Sequence, residues 1–191
     1  MTTRILLILL LAAPAWVGAQ APPPSTSAPE VFSGTAHAKN ATGAVSGTLD
    51  VRITRYTPDF DRKAVEEELR LGGYPRFLAA LRSAPEVGQV VLGGGQPFAI
   101  RYARETIEAA GRTIVVVTDK PVFFAGSGRA DAKPREGFEV ALLRLELDKA
   151  GAGKGTMAGA ARVRPDGKGG ILLDQYAEQP LELTNVIRKP S

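Results

Sequence analysis

The 191-residue sequence predicts a mainly β protein, an antiparallel β-barrel or a two-sheet sandwich of about nine strands, with a helical hairpin inserted at about residues 59–84. Three observations lead there. Most of the chain alternates apolar and polar residues with a period of two. Clusters of Gly, Asp, Asn and Lys separate these stretches, and only one region, after the second strand, changes to a helical period.

The first 19 residues, MTTRILLILLLAAPAWVGA, stand apart. One positive charge at Arg4 precedes an apolar run from Ile5 to Ala13, and Pro14 and the small residues Gly18 and Ala19 follow. This order predicts a secretory signal peptide over 1–19, cleaved after Ala19. The run is shorter than the roughly 20 residues that span a bilayer, so the processed chain is expected to be secreted or periplasmic and not membrane-spanning. Residues 20–30, QAPPPSTSAPE, are rich in Pro and Ser and predict a disordered linker of extended polyproline character. A single β-rich domain is then expected over 31–188. Its general appearance is that of a secreted bacterial domain.

The chain contains no cysteine, which excludes zinc-finger, iron–sulfur and thiol-redox chemistry and any cysteine nucleophile. A processed chain of about 170 residues buries roughly 70% of its unfolded surface, enough for one core without disulfides. The 24 basic and 20 acidic residues give a formal charge of +4, but the basic residues are dispersed and aromatics are only 6% of the chain. Nucleic-acid binding calls for a clustered basic face with stacking rings, so no nucleic-acid partner is expected.

In VFSGTAHA, Phe32, Gly34, Ala36 and Ala38 share one strand face while Ser33, Thr35 and His37 share the other. His37, the only histidine, thus falls on the polar face as an exposed strand residue. No second histidine exists to complete a metal site. The second strand, Ala44 to Tyr56, turns Val45, Leu49, Val51 and Ile53 inward. On its polar face Asp50 is the one carboxylate placed to pair with His37 across a hairpin, and without a nucleophile such a pair is no triad.

TPDFDRKAVEEELRLGG then shows start signals at Thr57 and Pro58, charge pairs such as Arg62 with Glu66, and a double-glycine stop. YPRFLAALRSAP repeats this order, which predicts two helices forming a hairpin. The run Gly93 to Gly95 leads into Gln96-Pro97 and another strand, so it is a loop between strands and no phosphate loop. Phe98 to Tyr102 and Ile114 to Val117 form a hairpin turning at Ala110-Gly111. The return strand is apolar on both faces, as for a strand covered on two sides. Residues 125–137 are glycine-rich with mixed charge and predict a surface loop.

In the last third Leu143, Leu145 and Leu147 alternate with Arg144, Glu146 and Asp148, and the phase slips near Leu142, suggesting a bulge. GAGKG predicts a turn leading into a strand from Thr156. DGKGG is a hairpin signal, and ILLDQYA and PLELTNVIR close the sheet.

No catalytic, cofactor or metal motif emerges. The sequence therefore points to a non-enzymatic module, with no cofactor, that binds a small or apolar ligand in a barrel mouth or a cell-envelope partner at its surface. The alternative is a carboxylate-based hydrolase or isomerase using Asp50, Glu105, Glu139 or Asp174, which requires two carboxyl groups at a set separation. Sugar hydrolases also favour aromatic platforms, and the one tryptophan, Trp16, departs with the signal peptide.

Overall fold

The computed structural model describes residues 29–40, 43–123 and 135–190. The expected signal peptide, most of the linker and most of the 125–137 loop lie outside these residues. The elements are β1 (Glu30–Asn40), β2 (Gly43–Ile53), α1 (Asp59–Ser83), β3 (Gly88–Leu92), β4 (Phe98–Glu108), β5 (Gly111–Thr118), β6 (Val140–Asp148), β7 (Ala152–Pro165), β8 (Ile171–Tyr176) and β9 (Leu181–Lys189). β1 opens at Glu30, a residue that composition alone groups with the linker.

All pairings are antiparallel, and the order β6-β5-β4-β3-β2-β1-β9-β7 is closed by pairing of β6 with β7. The fold is therefore an eight-stranded barrel, not a sandwich, and β8 is a ninth strand carried on the far end of β7. Eight strands enclose just enough space for side chains. Phe32, Leu49, Ile100, Ile114, Leu145 and Leu183 fill it, each at most 1% exposed. Each such side chain stabilises by about 1.5–3 kcal/mol relative to an exposed one.

A second core lies outside the barrel wall. Val65, Leu69, Phe77 and Leu81 of α1 pack with Tyr102, Val117, Leu142, Val163 and Ile171. This explains why β5 is apolar on both faces: Ile114 and Val116 point into the barrel while Val117 points toward the helix. β6 follows the same rule. Leu143, Leu145 and Leu147 face in and Val140 and Leu142 face out, so the apparent phase slip at Leu142 reflects burial on both sides. A bulge is present beside it, with the extra residue on β7, where Ala158 and Ala161 pair with Leu142 and Val140.

The helical region differs from the expected hairpin. It is one element, α1, interrupted at Gly73, whose φ of 70° and ψ of −169° are open to glycine and strained for other residues. Pro75 resumes the helix at once, because a fixed φ suits a first turn. Both halves turn their apolar residues to the same second core, so nothing drives them to fold back on one another. An ion pair between Glu68 and Arg76, 2.8 Å long, spans the kink. At the far end the Ala84 amide caps the carbonyls of Ala80 and Leu81, and Pro85 forces Ala84 into extended geometry.

A second difference concerns GAGKG. β7 begins at Ala152, so Gly151, at φ 83°, closes the predicted turn while Gly153 and Gly155 belong to the strand. A Cβ on Gly153 or Gly155 would run into the backbone carbonyl of Glu146 or Arg144 on β6, so the residues are small because two strands approach closely there. The turn itself precedes them, with Asp148 Oδ1 accepting hydrogen bonds from the amides of Ala150 and Ala152.

Candidate binding site

His37 lies on the outer face of β1, half-buried. Its Nδ1 is 2.8 Å from Ser46 Oγ and its Nε2 2.8 Å from Thr184 Oγ1. The two hydroxyls hold the ring from β2 and β9. Asp50 is not its partner: it sits opposite Ser33 in the β1–β2 register and binds Lys189 Nζ at 3.2 Å. The hydroxyl of Ser46 is thus bonded to an imidazole that no carboxylate orients, and the arrangement ties three strands together.

The other three carboxylates go to separate places. Asp174 reaches Arg162 at 3.9 Å on the exposed β7–β8 hairpin. Glu139 lies beside the α1 kink, where its amide donates to Tyr74 Oη at 3.0 Å and its Oε1 accepts from the Gly137 amide. Its Oε2 is buried without a hydrogen-bond partner. Burial raises the Tyr74 hydroxyl well above its ordinary pKa.

Glu105 alone joins a second carboxylate, and it does so at one mouth of the barrel. Arg112 Nη1 donates to Glu105 Oε1 at 2.6 Å and to Glu30 Oε2 at 3.1 Å, while Nη2 donates to Glu30 Oε1 at 3.0 Å. Tyr56 Oη donates to Glu30 Oε2 at 2.7 Å, and Arg188 Nε lies 2.8 Å from Glu30 Oε1. Burial pushes the Glu30 pKa up, but the hydrogen bonds from Arg112 and Tyr56 outweigh it and the net shift is down. A general acid needs the opposite shift, so this carboxylate stays ionised as an acceptor and the cluster acts as a clamp. Among the described residues no group of three His, Asp or Glu side chains could hold a metal ion.

An open cavity lies elsewhere, between the first half of α1 and the β7–β8 turn. It measures about 620 Å³ and is lined by Phe60, Lys63, Ala64, Glu66, Glu67, Arg70, Pro165, Gly167, Gly169 and Gly170. Its floor is Glu66, only 9% exposed, whose Oε1 accepts from Tyr102 Oη at 2.7 Å and whose two oxygens accept from Arg62 at 3.0 and 3.1 Å. Arg104 Nη1 stands 3.6 Å away. The opposite wall is a turn in which the Asp166 amide donates to Gly170 O and Asp166 Oδ1 accepts from the Lys168 amide, with Gly167 and Gly169 both at φ 75°. Phe60 projects at the rim, 84% exposed, beside Lys63 and Arg70.

Sequence reasoning located the Arg62/Glu66 pair and the DGKGG turn, but only as a helix surface pair and a hairpin. Some hundred positions separate them, and nothing local records that they face each other. Fold and site together define an eight-stranded antiparallel barrel with a helix-walled groove on its outside. No family model, curated protein or solved structure matches this chain.

Proposed function

We propose that this protein is a secreted or periplasmic, non-enzymatic binding module that holds a small, partly apolar ligand in the groove between α1 and the β7–β8 turn. The observation that carries this reading is the contrast between a barrel interior filled by side chains and an external cavity of about 620 Å³. Small-molecule sites commonly occupy about 300–1,000 Å³ and combine apolar walls with a few polar groups. Phe60 offers an aromatic face, Lys63 and Arg70 offer charge at the rim, and the glycines of the turn leave the backbone open to close approach. The predicted signal peptide and linker support export, and the dispersion of Asp50, Glu139 and Asp174 supports binding over catalysis.

The test is native mass spectrometry of the protein purified from its own host, followed by amide-shift mapping of whatever it carries. A ligand shifting the amides of Phe60–Arg70 and Asp166–Gly170, with binding weakened about tenfold or more by Phe60→Ala, is the expected result. A ligand mapping to the barrel interior, or a protein that retains and takes up nothing from host extract, overturns the reading.

A further inference from the structure

We propose that a second site, on the outer barrel wall beneath β8, binds a small anion with an apolar body: a carboxylate joined to a ring or a short acyl chain. A cavity of about 200 Å³ lies there, room for about seven waters at liquid density. Val115, Leu142 and Ala158 of the barrel wall form its floor, and Leu172, Leu173 and Pro180 close over it. The charged residues lining it are Arg144 and Arg164; no carboxylate does.

Arg164 is exposed and, among the described residues, its guanidinium makes one hydrogen bond, to the Pro165 carbonyl at 3.3 Å, with no ion pair. Arg144 pairs with Glu146 at 3.1 Å, but both side chains are about half exposed, at 40% and 48%. Such a surface pair contributes little, so an incoming carboxylate sheltered by the apolar wall displaces Glu146 readily. Two guanidiniums lining an apolar cavity favour an anion over a cation, and a carboxylate, which accepts the stronger charge-assisted hydrogen bonds, over an uncharged acceptor. The adjoining depression of about 340 Å³ shares Arg144 and Thr156 and adds Lys154 together with Glu146 and Glu182, so its charges balance, and the anionic head belongs at the Arg164 end, where no carboxylate lines the cavity.

Octanoate and benzoate are the probes, titrated into the full-length processed protein labelled with nitrogen-15, with octylammonium as the charge-reversed control. At least one of the two acids is expected to saturate shifts at Val115, Leu142, Ala158 and Leu172. Arg164→Gln should weaken it about tenfold or more, as for loss of a charge-assisted hydrogen bond, and Thr156→Glu should abolish it. Both substituted residues are exposed, and circular dichroism checks that the variants keep the fold. Failure of both acids to bind at millimolar concentration, equal binding of octylammonium, an unaltered affinity in Arg164→Gln, or shifts confined to the α1 groove each overturn the proposal.

Discussion

Arg112 grips Glu30 across the full width of one barrel mouth, its two terminal nitrogens 3.0 and 3.1 Å from the two carboxylate oxygens. β1 and β5, which carry them, are four strands apart in either direction around the closed sheet. The guanidinium also lies 5.5 Å from the Phe32 ring, at the top of the barrel core. The pair is thus a polar lid on an apolar interior, and it fastens the beginning of β1.

Removal of Arg112 should therefore destabilise the protein more than an ordinary surface change. Glu30 is 5% exposed, and breaking a buried pair from one side typically costs about 3–5 kcal/mol. Arg188 and Tyr56 still reach Glu30, so Arg112→Leu should cost about 3 kcal/mol, the lower end. Urea denaturation measures it. Arg112→Lys should recover only part of the loss, because an ammonium cannot fork between two oxygens.

The same cluster sets an acid limit. The folded-state pKa of Glu30 is below its ordinary 4.5, so the folded chain binds fewer protons than the unfolded chain in that region. The stability this contributes is present above pH 4.5 and is lost as pH falls through the folded value. Glu30→Gln should lower the melting temperature at neutral pH and flatten its decline below about pH 4.5. Parallel scans of wild type and variant across that range decide it; identical acid slopes would count against the assignment.

His37 is a structural group by its contacts, and its substitution should show this. His37→Ala removes hydrogen bonds to Ser46 and Thr184 at a half-buried site, a loss of about 1–2 kcal/mol. Binding in the α1 groove should be unchanged. Calorimetric melting of the variant, followed by ligand titration, separates the two effects.

Three tyrosines should be silent to base until the protein unfolds. Burial, the largest cause, raises the Tyr56, Tyr74 and Tyr102 hydroxyls far above the ordinary value of 10, and hydrogen bonding to Glu30 and Glu66 adds to it for Tyr56 and Tyr102. The raised folded pKa means that their contribution to stability is full below pH 10 and is lost as pH rises beyond it. Absorbance of tyrosinate should appear for these three together with loss of the far-ultraviolet dichroism. Ionisation of all three before that loss would contradict the burial seen here.

Period-two alternation made the strand faces legible: Phe32, Ala36 and Ala38 do face the core, and His37 does face out. The Gly93-Gly94 and DGKGG turns were equally plain, because the φ values of their glycines serve only local geometry. Gly153 and Gly155 misled for the opposite reason, since their smallness answers to β6, which is a tertiary neighbour. Barrel closure was illegible too, as it rests on β6 meeting β7 while β9 also pairs with β7. Of the candidate carboxylates, Glu105 was the one that structure joined to another, and Glu30 went unnoticed beside a proline-rich tail. The groove needed α1 and a turn a hundred residues away.

Gly73 offers the sharpest test of the kinked helix. With φ 70° and ψ −169°, it occupies backbone space that side-chain-bearing residues enter only with strain of about 1–3 kcal/mol, although a Cβ there would touch nothing within 4 Å. Space and conformation therefore make opposite predictions for Gly73→Ala: free room argues for a neutral change, and dihedral strain for a loss in the 1–3 kcal/mol range. Conformation should decide, because the halves of α1 are both anchored, Val65 and Leu69 on one side and Phe77 and Leu81 on the other, and cannot straighten without leaving the second core. Gly72→Ala is a weaker control, since its Cβ would press on the flexible Arg76 side chain, which can move at the expense of the Glu68 ion pair. Chemical denaturation of both variants reads the difference, and a Gly73→Ala protein as stable as wild type would mean that the backbone at this position relieves its strain without giving up the second core.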